Sequence, residues 1–231
     1  MPPLTRPAPD PARSTIVRDG VGVGVATGAY GLSFGALGIA AGLDLWQTCA
    51  LSLLMFTGAS QFAFVGVLAS GGTPLSGAVT AVLLGVRNGL YGMKLSGTLG
   101  YRGWRRTAVA QLVIDESTAM AVSRETPEQA RTGFLATGLA VFVCWNLATL
   151  LGALAGQGIG DPRDFGLDAA VGAAFLALLW PRLARTLDRV AAVLAVGLAL
   201  GLVPLTPAGV PVLAAASVAL AVGAGARRRL S

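Results

Sequence analysis

The sequence contains no histidine, so the commonest metal ligand and the side chain that most readily exchanges protons near neutral pH are both missing. Charged side chains make up only 12% of the 231 residues, half the roughly 25% of a soluble domain. Cysteine occurs twice, as Cys49 and Cys144. Each stands alone in an apolar window, which suits a small packing residue and gives neither a disulfide framework nor a thiolate cluster. No Gly-x-Ser-x-Gly elbow and no paired metal-ligand motif occurs. These absences argue against an enzyme, and the expectation is no catalytic residue, no metal and no cofactor.

What the chain has in excess is apolar surface and glycine. Hydrophobic residues make up 54%, the mean hydropathy is +0.70, and several windows reach the roughly 20 residues that one helical membrane span needs. The 32 glycines are spread through those windows instead of forming linkers, as transmembrane helices allow. The net charge of +6 comes from seventeen basic residues, of which Lys94 is the one lysine. Most of the arginines stand at the ends of apolar runs, where they anchor loops at a membrane surface, so no nucleic-acid partner is expected.

The expected fold class is therefore an all-α integral membrane protein of about eight transmembrane segments. Residues 1–19 read as a Pro-rich, disordered cytoplasmic tail. Residues 20–226 form one polytopic domain, and 227–231 a basic cytoplasmic end. The segments are placed at Val21–Ala41, Trp46–Ala69, Ser76–Leu99, Thr107–Ser123, Gly133–Gly156, Leu167–Trp180, Val190–Val203 and Val210–Ala224. Between Ser123 and Gly133, Thr126 fits as an N-cap, Pro127 as the first helical residue and Gln129 as the closing residue of a capping box.

Gly24, Gly28, Gly31, Gly35, Gly38 and Gly42 recur at steps of 4, 3, 4, 3 and 4. Those steps keep all six on one helical face, a small-residue seam for close helix packing. Tyr30 and Ser33 bring hydroxyls near it. In the second segment, Thr57-Gly58-Ala59-Ser60 is weak helix beside Gln61. It either unwinds to expose backbone donors and acceptors, as in the broken helices of many carriers, or stays helical with Gln61 bonded to a neighbour.

The third segment carries Arg87, Asn88, Tyr91 and Lys94, with Arg87, Tyr91 and Lys94 on one face and Gly85, Gly89 and Gly92 on another. Lys94 is close enough to the end to reach water, whereas Arg87 is not. The fourth segment is short and holds Gln111, Asp115, Glu116 and Thr118, with Gln111, Asp115 and Thr118 sharing a face. An intramembrane arginine needs a counter-charge, and Asp115 or Glu116 is the natural one. Tyr101-Arg102-Gly-Trp104-Arg105-Arg106, between the two segments, reads as an interfacial belt.

With eight segments and the N-terminus inside, eleven loop and terminal arginines face the cytoplasm and four face outward. That bias favours a cytoplasmic N-terminus in a plasma-membrane protein. If 75–100 and 107–123 were instead re-entrant hairpins, the distribution would become fourteen against one, with six membrane crossings.

At Phe56-Thr-Gly-Ala-Ser-Gln61-Phe and Arg87-Asn-Gly-Leu-Tyr91-Gly92 the chain resembles the AzlC family, large subunits of branched-chain amino acid exporters. The likeness extends to Gly31-Leu-Ser-Phe34-Gly35, Asp115-Glu116, Gly166-Leu-Asp168 and Phe175–Leu179, and so covers residues 20–225. Where the family commonly reads Asn-x-Arg-His, this chain has Gly85-Val86-Arg87-Asn88. The resemblance implies proton-driven export of leucine, isoleucine, valine and sometimes methionine, with a small membrane subunit of the AzlD type.

An amino acid brings a carboxylate, an ammonium and an apolar side chain. Arg87, or backbone donors near Gly58, suits the carboxylate. Ser60, Gln61, Asn88 and Tyr91 are the further binding candidates, with Gln61 and Asn88 suited to the ammonium. Met55, Phe56 and Phe62 offer apolar surface, and Asp115 or Glu116 suits a coupling proton. The alternative is a non-transporting assembly subunit that docks a partner on its glycine seam, with the Arg87 pair purely structural.

Overall fold

Glycine spacing, capping residues and two helix breaks set the architecture. The computed structural model describes residues 11–158, 176, 179, 180, 183–206 and 210–228, and among these there is no strand. The helices are α1 (Pro11–Gly28), α2 (Tyr30–Ala40), α3 (Leu45–Leu54), α4 (Ala59–Ala69), α5 (Pro74–Leu99), α6 (Gly103–Ala110), α7 (Asp115–Val122), α8 (Pro127–Gly158), α9 (Thr186–Leu202) and α10 (Val210–Arg228).

The starts follow local chemistry. Asp44 and Gln47 form a reciprocal capping box at α3. The Ser76 N–H donates to Thr73 Oγ1 ahead of α5, with Pro74 in the first turn. At α8 the Gln129 N–H donates to Thr126 Oγ1, as the Thr-Pro-x-Gln pattern predicts. α5 ends at left-handed Gly100, and Arg131 Nε donates to the Leu99 carbonyl at 2.7 Å, placing a cation on the negative end of the helix.

α1 and α2 run along α8 as the main packing contact of the chain. A Cβ on Gly24 would strike Ala140, one on Gly28 Cys144, one on Gly31 the Trp145 carbonyl and one on Gly35 the Thr149 carbonyl. α8 reciprocates at Gly152, whose Cβ would strike the Leu32 carbonyl. Backbones this close leave room for hydrogen only, which is why the face is glycine. Gly38 belongs to the same face but meets the Thr48 side chain of α3. Gly42 does not belong to the seam. It is exposed, no neighbour lies within 4 Å of its Cβ position, and its φ of +90° ends α2 instead.

The partner of this seam is α8 of the same chain, so it is not a surface left for another subunit. Residues 11–19, which composition assigns to the disordered tail, are helical: α1 starts at Pro11, Ile16 is buried, and Asp19 pairs with Arg124 at 3.8 Å.

Two segments expected as single helices are broken. Residues 46–69 divide into α3 and α4 around Met55–Gly58, the unwound alternative of the two. Residues 107–123 divide into α6 and α7, so Gln111 and Asp115 do not share a helical face. Ser117 Oγ accepts from the Ile114 N–H and donates to the Leu112 carbonyl, which holds the break from inside.

Arg13–Ala40, which joins most of α1 to α2, and Pro127–Gly158 are long and apolar enough to cross a membrane. Leu139, Val143, Leu147 and Leu151 on α8, and Val82, Val86, Leu90 and Met93 on α5, are exposed stripes that water would not tolerate but lipid would. α9 and α10 pack on each other and match the last two expected segments. The expected segment 167–180 lies almost entirely outside the described residues, as do the loop at 161–164 and residues 229–231.

Candidate functional site

Both helix breaks open on one cavity of about 280 Å³. From the α3–α4 break come Phe56, Thr57, Gly58 and Ala59, and from the start of α7 come Ile114, Asp115 and Glu116. Arg87 of α5 reaches in between them. Thr27, Tyr30, Phe62, Leu84, Val141, Trp145 and Leu179 complete the lining.

The break between α3 and α4 is held by its own side chains. Gly58 sits at φ +64°, a conformation costly for any other residue. Its N–H donates to Gln61 Oε1 at 3.0 Å, while Gln61 Nε2 reaches the Leu51 carbonyl at 3.5 Å. Gln111, at the other break, donates to the Leu53 carbonyl at 2.8 Å and the Leu54 carbonyl at 3.4 Å. One break thus caps the carbonyl end of the half-helix at the other. The amino end of α4 faces the cavity through Ala59, carrying the positive end of the helix dipole.

Arg87 Nη1 lies 3.0 Å from Asp115 Oδ2, with each side chain about 25% exposed. Arg87 Nη2 also donates, at 3.5 Å, to the Thr57 carbonyl. The ion pair expected for an arginine at this depth therefore forms between α5 and α7, with Asp115 as the partner. Arg87 Nε is buried without a partner, which leaves part of the guanidinium fork uncommitted.

The lining rings Phe56, Phe62 and Trp145 pack on further aromatics behind them. Phe34, Phe62 and Trp145 pack together, Phe34 to Phe62 edge-on at 5.7 Å, Phe34 stacked on Trp145 at 6.2 Å, and Phe62 edge-on to Trp145 at 6.1 Å. Phe56 meets Phe142 edge-on at 5.0 Å. Such pairs add about 0.5–1.5 kcal/mol each beyond simple burial.

Of the residues singled out in the sequence for binding or proton coupling, Phe56, Gly58, Phe62, Arg87, Asp115 and Glu116 line the cavity together. Gln61 is fully buried behind the break, its side chain committed to holding it. Ser60 is buried against α5 beside Gly85. Asn88 and Tyr91 are half-buried on α5 and do not line the cavity, nor does Met55. Sequence reasoning missed Thr27, Ile114, Val141 and Trp145 as lining. Trp145 carried a usable sign: it is a tryptophan in mid-segment, away from the interface where the residue usually gathers.

Among the described residues no cluster of histidine, cysteine and carboxylate side chains suits a metal ion. The family model described as AzlC protein matches residues 22–159, more than half of the chain and all of the elements that build the cavity except Leu179. Neither the curated proteins nor the solved structures contain a match.

Proposed function

Because the chain belongs to the AzlC family, a transporter-type family associated with branched-chain amino acid transport, we propose that it is a secondary carrier exporting branched-chain or other small apolar amino acids. The observation that carries this is the meeting of two broken helices and an ion pair around one mostly apolar cavity. Broken helices of this kind let secondary carriers offer unpaired backbone groups to a polar substrate inside the membrane. The cavity volume lies close to the roughly 300 Å³ lower bound of small-molecule sites, a size for a single amino acid.

The proposed roles follow from the lining. The substrate carboxylate meets Arg87 and the amino end of α4. The ammonium meets the carboxylates at the start of α7. The apolar side chain lies against Phe62, Val141 and Trp145. Asp115, the partner of Arg87, is proposed to carry the coupling proton, with Glu116 as the neighbouring acid. Gln61 takes the role of holding the site open instead of touching the substrate. The proposal extends to the plasma membrane, a cytoplasmic N-terminus, about eight segments and a small AzlD-type subunit.

The assembly-subunit alternative rested on a glycine seam available to a partner, and α8 already fills that seam. The test is transport by purified protein in vesicles, with and without the small subunit, using labelled valine, leucine and isoleucine. Efflux driven by an imposed proton gradient, and stimulated by the small subunit, is expected. Absence of both efflux and exchange under every condition would overturn the reading.

A further inference from the structure

The belt at Tyr101–Arg106 plays no part in the transport site. None of the residues of α6 is buried, and Trp104 is 76% exposed with the Arg105 guanidinium 5.8 Å from its ring centre. Arg102, Arg105 and Arg106 are exposed and make no ion pair among the described residues. Three unpaired arginines around a tryptophan form a strongly cationic surface at one end of α5.

Beside this belt lies a groove of about 190 Å³ between α5 and α6, separate from the transport cavity. Its floor is open at Gly89 and Gly92, where no atom comes within 4 Å of a Cβ position. Met93, Leu99 and Val109 make apolar walls, and Arg106 and Tyr101 stand at the belt end. From Gly89 to Leu99 is about 15 Å of helix. No carboxylate lines the groove. It therefore has Arg106 at its mouth, with Arg102 and Arg105 beside it in the belt, an apolar floor and no carboxylate to pair with a positive group.

We propose that the α5–α6 groove binds one anionic phospholipid. Its phosphate is held by Arg102, Arg105 and Arg106, and the first part of one acyl chain lies over Gly89 and Gly92. The charge selects an anionic headgroup over a zwitterionic one, because a choline or ethanolamine finds no carboxylate there. The same arginines strain the inside–outside count of the eight-segment arrangement, and a lipid-binding role gives them a function on either side of the membrane.

The test uses the whole purified protein released from vesicles holding equal phosphatidylcholine and phosphatidylglycerol, with bound lipid read by native mass spectrometry. Wild-type protein should retain phosphatidylglycerol in preference, and the preference should weaken as salt screens the headgroup. In R102Q/R105Q/R106Q the preference should fall by roughly fivefold for each arginine replaced. Gly92→Leu, which fills open space and leaves the belt intact, should lower retention of the lipid while helical content is unchanged. Equal retention of the two lipids by wild-type protein would overturn the proposal, even if the triple variant failed to fold. An unchanged preference in a folded triple variant would also overturn it.

Discussion

The two long sides of this molecule are built on opposite rules. On one, α1 and α2 lie against α8 so closely that glycine is the only residue that fits at several contacts. On the other, α3–α4 and α6–α7 are interrupted, and polar groups gather between them around Arg87 and Asp115. The close-packed side has no slack, because a carbonyl or a Cβ of the facing helix sits where each side chain would be. The interrupted side keeps space, unwound backbone and an ion pair in the cavity wall. A carrier needs both: a wall that stays put and a site that can change partners.

The largest effect should come from filling the seam. Gly35→Leu drives a side chain into the Thr149 carbonyl and the Ala153 amide, beyond the roughly 1–3 kcal/mol of ordinary overpacking. Folded yield in membranes, measured by detergent extraction and size-exclusion profile, should collapse. Gly22→Leu, on the same helix but with nothing within 4 Å, should express normally. Normal yield from both would mean that the seam is not the rigid side.

The interrupted side should instead lose transport while it still folds. Arg87→Gln should reduce labelled leucine efflux by roughly 10- to 100-fold, the worth of a charged hydrogen bond. Pairing it with Asp115→Asn removes both charges, which should restore any lost yield. In the double variant, exchange across the membrane should persist at the level left by Arg87→Gln alone, while gradient-driven efflux is absent. Normal efflux there would remove Asp115 from the coupling role.

A smaller effect should appear where the two sides meet. Val141 stands on the rigid helix α8 and lines the cavity one turn before Trp145. Because the seam prevents α8 from closing up, Val141→Ala should enlarge the space available to a substrate side chain. Competition by methionine or phenylalanine against labelled valine should strengthen by roughly tenfold. An unchanged ranking of competitors would place the apolar side chain elsewhere.

The smallest effect tests the link between the two breaks. Gln111→Ala frees the Leu53 and Leu54 carbonyls, a loss of about 1 kcal/mol for an ordinary hydrogen bond. Thermal unfolding in detergent should shift down by a few degrees, with transport retained. A drop in stability as large as that of Gly35→Leu would erase the contrast between the sides.

Local chemistry alone settled much of this. Glycine periodicity along 24–38 marks a packing face, since residues three and four apart share a side of a helix whatever they meet. The start of α8 at Thr126-Pro127 rests on capping, a local property, whereas the weak helix formers near Gly58 left unwinding and a continuous helix both open. The need for a carboxylate beside Arg87 followed from the cost of a lone charge in hydrocarbon.

Tertiary structure decided the rest. Gly42 continues the spacing but lies past the helix end, which its positive φ sets. The break at Gln111–Ile114 contains neither glycine nor proline. Its Gln111 bonds to α3, more than fifty residues earlier in the chain. That Trp145 and Val141 share a cavity with Gly58 and Asp115 depends on α8 folding back along α2, a contact between residues about a hundred positions apart. Periodicity and capping report what a helix presents; only packing determines what stands opposite it.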